Sequence, residues 1–188
     1  MTHEDIPGWF DFAPLYDAAV ERAPDRAVFV EVGCFVGKST SYLARRIKDS
    51  GKKITLWAID PGTGSVDKGD GFWDGILAEH GGNTTHALLK NLRECGVLDA
   101  VNVLPITSTS AANAVPGPID FVFIDGDHHP DAVLADLKAW FPRVKAGGVI
   151  AGHDYDCHWP DVVRTVNEFF GREVPDPICP HCWSTVRE

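Results

Sequence analysis

Two periods of apolar residues alternate along this chain. Short runs rich in β-branched and aromatic residues predict buried strands at Val28–Val32, Ile54–Ile59, Val101–Leu104, Ile119–Ile124, Val149–Ala151 and Trp183–Val186. Between them the spacing becomes helical, at Tyr42, Leu43, Arg46 and Ile47, then at Ala87, Leu88, Leu92 and Val97. Two later helices are read at Val133, Leu134, Leu137 and Phe141 and at Val162, Val163, Val166, Phe169 and Phe170, the second stopped by Gly171. Ahead of the first strand, Trp9, Phe10, Phe12, Leu15, Tyr16 and Val20 suit an amphipathic lead-in that packs on the sheet and ends at Pro24. Strands alternating with helices predict an α/β fold, a doubly wound sheet of about seven strands, mostly parallel. The last seventeen residues suit a closing antiparallel hairpin, so the last strand is read as reversed and residues 1–188 as one domain.

One segment breaks both periods. Gly62 to Thr85 is rich in Gly, Asp and Thr around an apolar cluster of Phe72, Trp73, Ile76 and Leu77. Loops of this length are usually functional, and this one is expected to be a mobile cover over the site, with a short helix around Trp73. His80 in it and His86 just after it are read as solvated.

The chemistry gathers where strands end. After the first strand, Glu31 precedes Gly33 and Gly37, and helical spacing begins at Ser39, a strand–glycine turn–helix unit that presents backbone N–H groups to a ligand. Gly33 to Ser39 is one residue too short for a phosphate-cradling P-loop, and Phe35 breaks a dinucleotide G-x-G-x-x-G. What remains is E-x-G-x-x-x-G. Asp60, at the tip of the second strand, stands where a carboxylate would meet both hydroxyls of a ribose; capping a turn is the alternative for a strand-ending aspartate. The fourth strand runs into Asp125-Gly126-Asp127-His128-His129 and the fifth into Gly152-His153-Asp154-Tyr155. In open α/β sheets ligands bind outside the carboxyl ends of the strands, so these residues should converge on the edge that carries Glu31 and Asp60. Carboxylates meeting there repel one another unless a cation intervenes. Asp125 or Asp127 with His153 and Asp154 would suit Mg²⁺ or, through the imidazole, another divalent ion, whereas plain turn residues are the alternative.

These motifs resemble the class I S-adenosylmethionine-dependent methyltransferases, and more narrowly the small-molecule O-methyltransferase group that includes macrocin O-methyltransferase. The likeness extends from Gly8 to Val186 and is strongest at Glu31–Ser39, Ile124–His128 and Gly148–Tyr155. It implies a Rossmann-like sheet and methyl transfer from S-adenosylmethionine, with Glu31, Gly33, Gly37, Ser39, Asp60, Ser108 and Asp125 on the cosubstrate. Thr107 stands where relatives often carry an acid for the adenine amine, so only Ser108 of that turn is kept. The resemblance also implies a metal held by Asp125 or Asp127 with His153 and Asp154, although His153 stands where an acid is usual. His128 or His153 would take the acceptor's proton if it is not a ligand. Two other classes stay open, a non-catalytic module that binds the cosubstrate and a P-loop-like nucleotide hydrolase.

Composition narrows the partners. Seventeen Lys and Arg against 27 Asp and Glu give a net charge of −10, which disfavours nucleic acid and leaves a small-molecule acceptor, with a homo-oligomer allowed. No apolar run reaches membrane-spanning length, and the first residues carry no basic-then-apolar signal. Five scattered cysteines suit a reducing compartment, with the cytoplasm expected. Cys179-Pro180-His181-Cys182 could join Cys157 and His158 in a structural zinc site; adventitious loop thiols are the plainer reading.

Overall fold

The computed structural model describes residues 1–64 and 72–188. Its strands are β1 (Val28–Val32), β2 (Thr55–Ile59), β3 (Val101–Leu104), β4 (Ile119–Ile124), β5 (Val144–Gly152) and β6 (Trp183–Val186). Its α-helices are α1 (Ala13–Arg22), α2 (Lys38–Ser50), α3 (Phe72–Glu79), α4 (Thr85–Glu94), α5 (Ser108–Ala114), α6 (Pro130–Trp140) and α7 (Pro160–Phe170). The strands form a single sheet in the order β3-β2-β1-β4-β5-β6, parallel throughout except for β6, which runs antiparallel to β5. The order reverses direction between β1 and β4, the place where such sheets open a crevice.

The period of two sorts the strand residues between faces. Phe29, Leu56, Ala58, Phe121 and Phe123 pack with Leu15, Tyr16, Leu43, Ile47, Leu88 and Leu92, so α1, α2 and α4 cover one face. Val30, Val32, Val122, Ile124 and Ile150 pack with Ala111, Leu137, Trp140, Val162 and Val166, so α5, α6 and α7 cover the other. With both faces covered, the central strands are apolar at nearly every position, as the sequence pattern requires. The polar positions are Asp120 of β4, partly buried, and Glu31, fully buried on the α1–α2 face.

Six strands stand among the described residues, where about seven are expected. The hairpin expected of the last seventeen residues places its other strand in residues 172–182. They make only one isolated bridge, Pro175 to Trp183, because Pro175 and Pro177 bring no N–H to a ladder. β5 is longer than its apolar run, since pairing with β4 continues past Gly147-Gly148 through a register shift between Ile119 and Phe121. The helix expected around Trp73 is α3, while the stretch before it, residues 65–71, lies outside the described residues, and with it part of the cover expected over the site. No helix among the described residues is long and apolar enough to cross a membrane.

Candidate active site

The C-terminal ends of β1, β2, β4 and β5 are tied together by backbone bonds that continue beyond the strands. Gly33 N–H donates to the Ile59 carbonyl, Asp125 N–H to that of Val32 and His153 N–H to that of Ile124, at 2.9, 2.8 and 3.1 Å. The turn after β1 fits only because position 33 is glycine. Its φ is +86°, and a Cβ there would lie 1.8 Å from the Asp125 carbonyl oxygen. Gly37, at φ +93°, is the N-cap of α2.

Asp60 faces this turn and holds it. Its Oδ2 accepts the Phe35 N–H and its Oδ1 the Gly62 N–H, both at 2.7 Å. Burial raises its pKa, and these backbone donors oppose the rise. Each oxygen keeps a second lone pair, so a ribose diol can add to the existing bonds without breaking them. Phe35 takes φ +44°, and its ring meets Trp73 of α3 edge-on at 4.5 Å between centroids. Trp9, 65% exposed, stands beside Trp73 at 6.4 Å. Of the early aromatic residues, therefore, Phe12 and Tyr16 fill the core and Trp9 does not.

Glu31 lies beneath the turn. Tyr16 donates its phenol to Oε1 at 2.8 Å, and the Cys34 thiol reaches Oε2 at 3.8 Å. Burial raises its pKa, while Ser39, Tyr16 and Cys34 favour the ionised form. A carboxylate sealed in this way shapes the turn from below. Burial also pushes the Cys34 thiol well above its ordinary range, which makes it a poor nucleophile. Lys38, the lysine a phosphate loop would use, donates to the Ile6 carbonyl at 2.9 Å. The Ser108 hydroxyl is turned to α6, where it accepts from Trp140 Nε1 at 2.8 Å.

Past β4 and β5 the acids and imidazoles interlock. Asp125, His128 and Asp154 each offer one ligand atom within 4.8 Å of the others. His128 Nε2 lies 2.8 Å from Asp154 Oδ2, and its ring stacks on Trp159 at 3.9 Å and 20°. His153 Nε2 meets Asp11 Oδ1 at 2.9 Å, while its Nδ1 faces Asp154 at 3.2 Å and Asp125 at 3.7 Å. Asp127 caps the turn, its Oδ1 accepting the His129 N–H at 2.8 Å. Of the two aspartates that the strand end offers, Asp125 is therefore the one beside Asp154.

Charge is distributed unevenly in this cluster. Burial, and next the charge of Asp154, push Asp125 up to about 7. Burial works against ionising Asp154 as well, but hydrogen bonds from His128 and His153 and their charges outweigh it and hold that carboxyl well below its ordinary value. His153 is raised to about 10: burial opposes its charge, and the Asp154 hydrogen bond with the charges of Asp125, Asp154 and Asp11 overcomes the opposition. His153 is thus an imidazolium at neutral pH, which suits it to balance charge rather than to accept a proton. Two carboxylates and an imidazole within this span form a donor set that fits a divalent cation.

Sequence reasoning missed three residues of this site. Tyr16 carried the signal of a core aromatic residue, and nothing in its spacing points to Glu31. Asp11 sits in the irregular lead-in, 142 residues from its partner His153. Trp159 reads as the residue before a helix-opening proline, yet it is the stacking partner of His128.

The fold resembles that of the O-methyltransferase NovP, with a TM-score of 0.71 at 20% identity over 93% of this chain and 78% of that one. It also resembles a Streptococcus mutans protein solved in complex with SAH, with a TM-score of 0.61 at 13% identity over 94% and 97% of the two chains. An uncharacterized protein of Acanthamoeba polyphaga mimivirus is 32% identical over 151 residues, 77% of this chain. The chain spans 59% of that relative's length. Residues 30–155, from β1 to the end of the His153-Asp154-Tyr155 segment, match the family described as methyltransferase domain, and to that family the chain belongs.

Proposed function

We propose that this protein transfers the methyl group of S-adenosylmethionine to a hydroxyl of a small-molecule acceptor. The observation that carries the reading is the pairing of Asp60 with the glycine turn at the sheet's switch point, next to a proton-handling cluster on β4 and β5. Asp60 would receive the ribose hydroxyls, and Gly33 lets the end of β4 close against the turn beside them. Asp125, on the neighbouring strand end, would face its sulfonium end.

Methyl transfer is an in-line displacement: the acceptor oxygen attacks the methyl carbon as the carbon–sulfur bond breaks, and the hydroxyl proton must leave. Alignment supplies most of the acceleration. His128 takes the proton. Asp154 fixes the imidazole through Nε2, and the Trp159 stack holds the ring in plane. His153, kept cationic by three carboxylates, offsets the negative charge of the cluster. A divalent cation held by Asp125, His128 and Asp154 would instead lower the pKa of the acceptor hydroxyl. Trp9 and Trp73, beside the turn, would form a wall for the acceptor.

Calorimetric titration with S-adenosylhomocysteine, followed by transfer of labelled methyl to a panel of hydroxylated small molecules, tests the reading. Binding together with transfer is expected, with His128→Gln lowering the transfer rate by about 10²–10⁴ while binding persists. Binding without transfer to any acceptor would reassign the chain as a non-catalytic module. Loss of transfer on chelation, restored by added metal, would move His128 from base to ligand.

A further inference from the structure

A second cluster of donor atoms lies outside the strand-end site, on the connection between β5 and α7. Asp156, Cys157 and His158 each offer one ligand atom within 4.8 Å of the others. Asp156 Oδ1 is 3.0 Å from His158 Nδ1, and Cys157 Sγ is 4.0 Å from the same nitrogen. A fourth group arrives from a distant part of the chain: His181 Nδ1 lies 2.9 Å from Asp156 Oδ2. Its arrival is built into the backbone, because the Tyr155 N–H donates to the His181 carbonyl at 3.0 Å and joins the two segments.

We propose that Asp156, Cys157, His158 and His181 bind a transition-metal dication of the zinc class. Carboxylate, thiolate and two imidazoles form a mixed borderline set of the kind that selects zinc, whereas Mg²⁺ and Ca²⁺ take oxygen. Around a tetrahedral ion with bonds of about 2.0–2.3 Å, ligand atoms sit roughly 3.3–3.8 Å apart; Asp156, Cys157 and His158 already hold theirs within 4.8 Å of one another, and His181, placed by Asp156 at 2.9 Å, closes on the other two when the ion binds. Two imidazoles turn the same ring nitrogen to opposite oxygens of one carboxylate, and the His158 side chain is 79% exposed, so packing does not hold it there. Exposed ion pairs contribute too little to account for the arrangement. The cysteines of the Cys179–Cys182 pair belong to a different environment. Both are buried in the core on the α1–α2 face, so the zinc set suggested by the sequence is replaced by one built on Asp156 and His181.

On binding, Cys157 gives its proton to solvent and the two imidazoles coordinate through Nδ1. The ion then staples the β5–α7 connection to the segment that leads into β6. That connection begins just after Asp154 and ends at Trp159, the two residues that hold His128. Occupancy therefore stiffens the surroundings of the proposed base without touching it.

Cobalt(II) is the probe, titrated into chelator-treated, reduced protein. The expected signal is a thiolate-to-cobalt charge-transfer absorption that one equivalent of zinc abolishes. Cys157→Ser should remove the absorption, and His181→Asn should weaken affinity by more than the roughly 10–100-fold typical of losing an outer-shell partner. Asp125→Asn should leave it intact, since the strand-end set holds no thiol. Both substituted side chains of this site are solvent-facing, and circular dichroism checks that the variants fold. Absence of the band, its survival in Cys157→Ser through Cys179 and Cys182, or wild-type affinity in His181→Asn would each overturn the proposal.

Discussion

Both oxygens of Asp60 accept backbone N–H groups, from Phe35 in the glycine turn and from Gly62, so substitution there removes more than the proposed ligand contact. Asp60→Ala is expected to weaken S-adenosylhomocysteine binding and also to lower stability by about 1–3 kcal/mol, the range for losing hydrogen bonds to a buried charged acceptor. Chemical denaturation beside calorimetry checks this; unchanged stability would mean the turn holds its shape without the carboxylate. Gly33→Ala is the more severe change. The new methyl would meet the Asp125 carbonyl, which is backbone and cannot swing aside, and φ +86° adds strain, so a loss above about 3 kcal/mol is expected. A variant that melts like the wild type would show that β1 and β4 can part at their ends. The glycine and the acid were both legible from their place after apolar strands. So was the capping role open to a strand-ending aspartate; which turn Asp60 caps was not, because no spacing rule joins it to one 25 residues earlier.

At the scale of elements, α6 carries a buried acid that the chemistry does not use. Burial raises Asp136 to about 6, with Ser108 of α5 opposing the shift. The folded state thus prefers the protonated carboxyl: its penalty is absent at acid pH, grows as pH rises through the ordinary value of 3.8, and levels off above about 6. Between about pH 5 and about pH 8 the wild type should lose about 1 kcal/mol more than Asp136→Asn, as one pKa unit is worth about 1.4 kcal/mol. Parallel denaturant curves at the two pH values decide it, and equal slopes would mean that Asp136 is solvated. The elements themselves were read well from periodicity. β1, β3, β4 and β6 match their apolar runs, and α7 ends at Gly171 as expected. The extension of β5 was hidden by Gly147-Gly148, which punctuate a turn by composition but in the fold sit at the register shift against β4 and bond to Arg187 on the other side.

For the molecule as a whole, the C-terminal strand fastens the edge of the site. Trp183 is 1% exposed, lies against Gly152 and pairs with it across β5 and β6, one residue before His153. Trp183→Ala should cost about 3–5 kcal/mol, the usual loss for emptying a large aromatic site. It should also broaden the NMR signals of His128 and His153 before global unfolding; sharp, unshifted imidazole resonances would separate the strand from the site. The layout of sheet and covering helices was readable because continuous apolar strands alternate with amphipathic helices along the chain, which calls for a sheet covered on both faces. Pairings such as Tyr16 with Glu31 and Asp11 with His153 belong to the folded chain alone, since they join residues whose local patterns carry no mark of each other.

Asp154 has a backbone φ of +60°, in the left-handed region that asparagine, aspartate and glycine enter far more readily than other residues. The same residue anchors His128 and pairs with His153. Under random mutagenesis with selection for folded protein alone, the backbone should filter position 154 to those three residues. Selection for methyl transfer should then remove glycine, which has no side chain to hold the imidazole. The two filters overlap on a pair of residues related by a single nucleotide change, so drift at this position has one short path, and it leads through a neutral amide.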